Sequence, residues 1–216
     1  MFRRQLIQSA SALTVASALP VAALAQQPRG YQEGQDYVAL DKRVPGDTTA
    51  GRVEVIEFFW YNCPHCNAFE PQLEQWAAKL PKDVILRRMP VAFRDDFVPQ
   101  QRLFYTLETM GKLEEMHKKV FYAIHVEKRN LNSLSAISDW VASQGVDKTK
   151  FGQIYDSFAV QTKATRAAKL QNDYKVGGVP ALGIAGRFYT DGSLAQSMSR
   201  ALQVTDFLIA EVKKGR

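Results

Sequence analysis

Cysteine and histidine are scarce in this sequence, which limits the kinds of chemical site that the chain can build. Its 216 residues contain two cysteines, Cys63 and Cys66, and three histidines, His65, His117 and His125. There is no second C-x-x-C motif and no H-x-x-H motif, so a zinc site would lack ligands to complete its four. We therefore expect no metal or cofactor, and we expect His117 and His125 to be ordinary surface or partly buried residues of a helical segment.

Other features of the composition are absent as well. No run of Lys and Arg is interleaved with aromatic residues, as a nucleic-acid groove requires, so we expect no nucleic-acid partner. The charged fraction of 23% is ordinary for a folded protein. With 46% hydrophobic residues, the chain can build the core of one domain, or of one domain that carries an insertion. Nothing in the sequence demands more than a monomer.

The first 25 residues have the three-part pattern of an export signal. Arg3 and Arg4 precede a stretch rich in Ala, Leu, Val and Ser at residues 6–22, and Ala-Leu-Ala follows at residues 23–25. Polar residues interrupt the stretch, which makes it too short and too polar for a membrane anchor. We predict that residues 1–25 are cleaved after export, by the general or the twin-arginine route. Cleavage removes two Arg and no acidic residue, so the net charge falls from +6 to +4.

Three strands and a helix are predicted in the first half of the chain. Residues 26–50 are polar and contain one short edge strand near residues 37–38. Residues 53–61 (VEVIEFFWY) are apolar at nearly every position, which is typical of a central strand buried on both faces. A helical pattern begins at Cys63, and residues 84–89 form the next strand.

Residues 98–176 contain no convincing strand. Their helical pattern breaks at Gly111, and a further helix is capped by Asn132 or Ser133 and ends at Gly145. Two more helices precede residue 176. We expect the aromatic stripes of this segment, which include Phe151, Tyr155 and Phe158, to pack in the core.

The last part of the chain returns to strands. Residues 181–184 and 187–190 predict two short strands around Gly186, and residues 194–213 predict a final amphipathic helix. The element order is therefore β-β-α-β, several helices and then β-β-α, which indicates an α/β protein. We divide the chain into a signal (1–25), a first part (26–97), a helical insertion (98–176) and a second part (177–216).

The C-x-x-C pair lies directly after the buried strand and begins a helix. Unpaired backbone N–H groups and the helix dipole favour an anion there, so a Cys63 thiolate is stabilised and can attack disulfides. Cys66 lies one turn later, and we expect it to be more buried and to act as the resolving thiol. His65 adds to the stabilisation of the thiolate or has no role, and Pro64 is compatible with a helix start. A purely structural disulfide is the weaker alternative, because so short a loop contributes little stability.

Glu57 is an anomaly within the buried strand. An isolated carboxylate there is costly, and burial would raise its pKa to a value that suits a group relaying a proton to or from a buried thiol. Alternatively, Glu57 reaches an Arg or Lys at an end of the sheet. The residues alone leave both interpretations open.

Two segments resemble the DsbA family, the periplasmic dithiol oxidases of Gram-negative bacteria. These segments are EFFWYNCPHC at residues 57–66 and GGVPA at residues 177–181, and the resemblance extends over residues 35–214. It implies a thioredoxin fold with a helical-bundle insertion. It also implies a periplasmic location, reduced folding exported proteins as substrates, and a DsbB-like membrane quinone reductase that reoxidises the protein.

The resemblance further implies roles for individual residues. Cys63 would form the mixed disulfide with the substrate, and Cys66 would resolve it on reoxidation. Val179 and Pro180 match the family's cis-proline loop, which faces the cysteines and offers backbone groups of Val179 to an extended peptide. Glu57 matches the family's buried acid, and Arg87 or Arg88 would supply the basic residue that is often paired with it.

Two other functions remain in competition with the oxidase. A reductase or isomerase could use the same fold, although residues 26–50 are too short for the dimerisation domain that an isomerase usually needs. A peptide-binding chaperone could use the apolar groove near Val179 and Pro180, with the disulfide as a structural link. The chaperone would keep its activity in a Cys63→Ser variant.

Overall fold

A single mixed sheet organises the protein. The computed structural model describes residues 30–46 and 51–215, so the predicted signal at residues 1–25 lies outside the described part. Within that part the sheet has five strands: β1 (Val38–Ala39), β2 (Val53–Phe59), β3 (Val84–Pro90), β4 (Ala181–Ile184) and β5 (Phe188–Asp191). Their order across the sheet is β1-β5-β4-β2-β3, and β1 lies at an edge as predicted.

Helices cover the sheet, and five of them follow one another between β3 and β4. The described helices are α1 (Pro64–Ala77), α2 (Val98–Thr109), α3 (Leu113–His125), α4 (Leu134–Ser143), α5 (Lys148–Tyr155), α6 (Phe158–Asp173) and α7 (Met198–Lys213), with a 3₁₀ turn at Asp95–Phe97 before α2. The predicted order of elements is confirmed, whereas the division of the chain at residues 97 and 176 stays a prediction. In the described ranges, no helix has the length and apolar character that crossing a membrane requires.

The central strand β2 is buried at all seven positions, which explains its nearly continuous apolar sequence. It pairs in parallel with β3 and antiparallel with β4. Ile56 and Phe58 contribute to a core shared with the helices of residues 98–173. Val53 and Val55 contribute to the core on the opposite face, together with Leu208 of α7. The end of β2 is therefore held on both faces and by both neighbouring strands.

The helix boundaries follow local signals. Gly111 separates α2 from α3 with a φ of +68°, and Gly145 follows α4 with a φ of +83°. Ser133, rather than Asn132, caps α4, because its side chain accepts a hydrogen bond from the backbone N–H of Ala136. These observations confirm the predicted breaks and decide the predicted cap.

Two predictions about helical segments are wrong in detail. Phe158 is 82% exposed, because it is the first residue of α6 and the buried stripe of that helix begins at Val160. The last helix begins at Met198 instead of residue 194. Asp191 accepts hydrogen bonds from the backbone N–H groups of Ser193 and Leu194, and this turn delays the helix start.

Substitutions of two glycines by alanine should have opposite effects on the free energy of unfolding. A Cβ atom on Gly183 of β4 would overlap Cε1 of Tyr174, whose ring is fully buried and whose hydroxyl accepts a hydrogen bond from the backbone N–H of Gly186. We expect Gly183→Ala to lower the free energy of unfolding by about 1–3 kcal/mol through overpacking. The measurement is urea unfolding with both cysteines reduced.

The matched control is Gly152→Ala in α5, where a Cβ atom meets nothing within 4 Å. Alanine should stabilise that helix by about 0.5–1 kcal/mol, because it loses less backbone freedom on folding. Equal unfolding free energies for the two variants would contradict the packing described around Tyr174.

Candidate active site

The two cysteines lie where β2 passes into α1. The backbone N–H of Cys63 donates to the carbonyl oxygen of Trp60 over 3.0 Å, which closes the turn after the strand. Cys63 is the N-cap of α1, and Pro64 is the first residue of the helix. The sulfur of Cys63 accepts a hydrogen bond from the backbone N–H of Cys66 over 3.4 Å. The sulfur therefore takes the place of the side-chain oxygen that usually caps a helix, at the end where an anion is stabilised.

This position lowers the pKa of Cys63 to about 6. The largest cause is the hydrogen bond from the Cys66 thiol, opposed by partial burial and aided by the backbone N–H groups of Cys66 and His65. Burial raises the pKa of Cys66 far above its usual value, so Cys66 stays a thiol at neutral pH. Cys66 is fully buried, whereas Cys63 retains some exposure, as expected from the sequence. The pair thus contains one nucleophilic thiolate and one protected thiol.

A loop before β4 faces the cysteines across the start of α1. The Val179–Pro180 peptide bond is cis, and the carbonyl oxygen of Val179 lies 3.5 Å from the sulfur of Cys63. His65 is exposed at the rim of a cavity of about 320 Å³ that Val179 and Pro180 also line. The structure therefore brings together Cys63 and Val179, which lie 116 positions apart in the chain.

Glu57 is fully buried, and it also has a basic neighbour. Glu57 and Arg88 are partners in the register of β2 and β3, and Oε2 of Glu57 lies 3.3 Å from Nε of Arg88. Arg88 in addition donates two hydrogen bonds to Glu70 of α1, over 3.2 and 2.8 Å. Arg87 lies 3.1 Å from Glu54 instead. The contact with Arg88 agrees with the interpretation in which Glu57 reaches a basic residue, and the role of Glu57 as a proton relay stays a prediction.

The two carboxyl groups beside Arg88 differ in acidity. Burial raises the pKa of Glu57, the charge of Glu70 raises it further, and Arg88 opposes both effects. Burial acts to raise the pKa of Glu70 too, but hydrogen bonds from His117 and Arg88 outweigh it, and the pKa of Glu70 is lowered. Of the two acids, Glu57 is therefore the one that holds a proton more readily. Its charge would also raise the pKa of Cys66, so Glu57 and Cys66 are electrostatically coupled.

The prediction that His117 is an ordinary surface or partly buried residue is wrong. It is 5% exposed, and its ring packs against Phe59, Phe104 and Phe121. Its Nδ1 lies 2.8 Å from the hydroxyl of Tyr61, and its Nε2 lies 3.2 Å from Oε1 of Glu70.

His125 is partly buried as expected, and its Nε2 lies 2.8 Å from the carbonyl oxygen of Tyr61.

Sequence reasoning missed Glu70, although a signal for it was present. Cys66, Phe69, Glu70 and Leu73 form the buried face of α1, so a carboxylate interrupts an otherwise apolar stripe. This is the same anomaly that identified Glu57 in the strand.

In the described part of the chain, no three His, Cys, Asp or Glu residues converge to form a group that could hold a metal ion.

The chain is similar in sequence and in fold to known proteins. Residues 90–203 match the family described as a DSBA-like thioredoxin domain. The chain is 42% identical to the thiol:disulfide interchange protein DsbA of Burkholderia cepacia over 193 residues, which are 89% of this chain and 91% of that protein. Its identity to the DsbA of Pseudomonas aeruginosa is 40% over 186 residues, which are 86% and 88% of the two chains.

Solved structures of DsbA proteins are also similar to this chain in fold. The crystal structure of Pseudomonas aeruginosa DsbA superposes with a TM-score of 0.81 at 39% identity, over 86% of this chain and 96% of that one. The oxidoreductase DsbA from Xylella fastidiosa has a TM-score of 0.80 at 26% identity, over 85% and 98% of the chains. The predicted α/β thioredoxin fold is thereby confirmed.

Titration of the reduced protein tests the described environment of Cys63. We expect the thiolate of Cys63 to form with a midpoint near pH 6, because the Cys66 thiol and two backbone N–H groups donate to it. Cys66→Ala removes the thiol donor and should raise the midpoint toward the usual value of about 8.5. Cys66→Ser keeps an O–H donor and should leave the midpoint lower than in the Ala variant. The rate of alkylation of Cys63 against pH measures all three.

The same ionisation links pH to stability. A pKa that is lowered in the folded state gives stability that is fully present above the unfolded pKa and is lost as pH falls through about 6. Reduced protein should therefore gain stability relative to the disulfide form between about pH 6 and 9. A stability difference that is independent of pH over this range would contradict the lowered pKa of Cys63.

Proposed function

The chain belongs to the DsbA family and is a thiol–disulfide oxidase, and we propose that it donates its Cys63–Cys66 disulfide to reduced, folding exported proteins through Cys63. The observation that carries this proposal is the hydrogen bonding of the Cys63 sulfur at the start of α1. Stabilising the Cys63 thiolate stabilises the reduced form, so the disulfide form is the one that gives up its bond readily.

The reaction proceeds in two exchange steps. A substrate thiolate attacks the sulfur of Cys63, so a mixed disulfide forms, the Cys63–Cys66 bond breaks, and Cys66 leaves and takes up a proton. The second substrate thiolate then attacks the substrate sulfur of the mixed disulfide, and Cys63 leaves as a thiolate. The substrate loses two electrons and two protons. The electrons reduce the protein's disulfide, one proton stays on Cys66, and the other goes to the solvent above about pH 6.

We assign substrate binding to the loop that faces Cys63. An extended peptide would lie along this loop and pair with backbone groups of Val179, whose carbonyl oxygen is within 3.5 Å of the reacting sulfur. Pro180 and Pro64 have no backbone N–H and so cannot compete for that sulfur. His65, at the rim of the adjoining cavity, would add positive potential near the thiolate when protonated.

Glu57 is proposed as the proton donor for Cys66. Cys66 leaves as a thiolate within a fully buried site, where an unpaired negative charge is costly. Glu57 is buried, its pKa is raised by that burial, and its negative charge, when present, raises the pKa of Cys66. Transfer of the Glu57 proton toward Cys66 would leave the new carboxylate beside Arg88, at a distance of 3.3 Å.

The oxidised form must then be restored by a second protein. We propose that a DsbB-like membrane quinone reductase accepts two electrons from the Cys63 and Cys66 dithiol and passes them to a quinone, with the two protons released or taken up by the quinone. We place this cycle in the periplasm, where residues 1–25 would direct the chain. The protein is proposed to act as a monomer.

The redox equilibrium of the cysteine pair tests the oxidase function. Against glutathione buffers, we expect the pair to stay reduced until the buffer is strongly oxidising, because the Cys63 thiolate is stabilised. With a substrate peptide supplied as a disulfide, Cys63 of the Cys66→Ala variant should attack one sulfur, release the other as a thiolate and accumulate the mixed disulfide, whereas Cys63→Ala should accumulate none. A pair that is already oxidised under thioredoxin-like reducing conditions would indicate a reductase. Full activity of Cys63→Ser would indicate a chaperone.

Replacing Glu57 tests the proton transfer separately. Glu57→Gln keeps the shape of the side chain but cannot release a proton, so we expect the release of Cys66 to slow by at least about 100-fold, the low end for positioned acids. Glu54→Gln is the matched control, because Glu54 is also buried in β2 and paired with an arginine of β3. Stopped-flow fluorescence of the oxidised protein with a reduced peptide measures both rates. Equal slowing in both variants would contradict the proposed role.

A further inference from the structure

A chain of hydrogen bonds joins three elements beneath the cysteines. It runs from Tyr61, just after β2, through His117 of α3 to Glu70 of α1, over 2.8 and 3.2 Å. All three side chains are buried. None of them is required for the exchange steps proposed above, and the chain ends at the carboxyl group that shares Arg88 with Glu57.

The protonation states of these side chains determine which group donates in each hydrogen bond. A carboxylate only accepts, so Nε2 of His117 carries the hydrogen and donates it to Glu70. Burial lowers the pKa of His117, which favours a neutral ring with an unprotonated Nδ1. Nδ1 then accepts from the hydroxyl of Tyr61, whose own pKa burial raises.

The two acids that share Arg88 receive very different numbers of donors. Glu70 accepts two hydrogen bonds from Arg88 and one from His117. Neither oxygen of Glu57 has a hydrogen-bond partner among the described residues, and its only close cation is Arg88. One proton shared by the two acids therefore stays on Glu57, and the donor from His117 adds to the difference between them.

We propose that His117 is a positioning residue that, by donating a hydrogen bond to Glu70, keeps Glu70 ionised and so leaves the proton on Glu57. This inference rests on the proposed function only in assigning a use to that proton. Loss of the donor would let Glu70 compete for the proton. Glu57 would then ionise at lower pH, and its ability to protonate Cys66 would disappear at lower pH as well.

Several charged or titratable groups face the hydrogen-bonded side chains of Tyr61, His117 and Glu70, and each contributes to the charge balance there. They are Glu57 of β2, Tyr61 after it, Arg88 of β3, Cys66, Glu70 and Glu74 of α1, and Lys118 of α3. Lys118 lies 2.8 Å from Glu74 and so compensates the acid that is next to the cluster. Glu70 and Glu57 remain with one shared cation, Arg88.

Two substitutions separate the hydrogen bond of His117 from its packing. His117→Phe keeps an aromatic ring against Phe59, Phe104 and Phe121 but can neither donate nor accept. His117→Gln loses the ring but offers an N–H to Glu70 and an oxygen to Tyr61. If the Phe variant does not fold, His117→Met provides the same loss of donor with an adaptable apolar side chain.

The first readout is the ionisation of each acid, which needs no activity. Carboxyl ¹³C resonances of the reduced, full-length protein are assigned with Glu57→Gln and Glu70→Gln and followed against pH. In the Phe variant we expect the midpoint of Glu70 to rise by about 1 to 2 pH units, the equivalent of a charged hydrogen bond, and that of Glu57 to fall. The Gln variant should keep the order of the unmodified protein.

The second readout is the pH profile of Cys66 release. As pH rises, the rate of Cys66 release should begin to fall at a lower pH in the Phe variant than in the unmodified protein. The Gln variant should retain the original profile. Glu114→Gln is the matched control, since it removes an exposed acid from the same helix and should change neither readout.

The outcomes distinguish this inference from the proposed function. If Glu57→Gln leaves the rate unchanged, the proton transfer fails, and the ¹³C titration still decides the role of His117. If the Phe variant titrates like the unmodified protein while the Gln variant does not, His117 acts through packing, and the inference is overturned. Movement of the Glu70 midpoint in the Phe variant alone supports it.

Discussion

The capping of α1 by the sulfur of Cys63 is the interaction on which the rest of the structure depends. A sulfur that takes the position of a capping oxygen is held toward the backbone N–H groups of the first turn, and this geometry favours the thiolate. The preceding strand must end at the correct place for the cap to form, and β2 is held in place by its burial at all seven positions. Its burial fixes the turn at Trp60 and so fixes Cys63.

Burial of the strand has an electrostatic cost, and the neighbouring strand offsets it. Glu57 and Glu70 are both removed from water close to the cysteines, where a single arginine cannot fully compensate two carboxylates. Because β3 runs parallel to β2, Arg88 lies beside Glu57 and also reaches Glu70. The result is a pair of acids that shares one arginine, close to a thiol that must lose and regain a proton during disulfide exchange.

Local signals in the sequence predicted much of the fold. The apolar run of β2, the glycine at position 111 and the cap at Ser133 act over a few residues, so each can be recognised without knowledge of the tertiary contacts. Phe158 shows the limit of this approach. Its spacing suits an apolar stripe, but whether the first residue of a helix faces the core depends on how the whole helix packs.

The sequence by itself determined the cysteine pair, its place at a helix start, the anomalous Glu57 and the likeness of two segments to one family, because each of these features is local or is a motif. Only the tertiary structure decided that Arg88 rather than Arg87 faces Glu57, because strand register sets that choice. It alone brought His117 and Glu70 together, 47 positions apart, since contacts between helices depend on packing that no local pattern encodes.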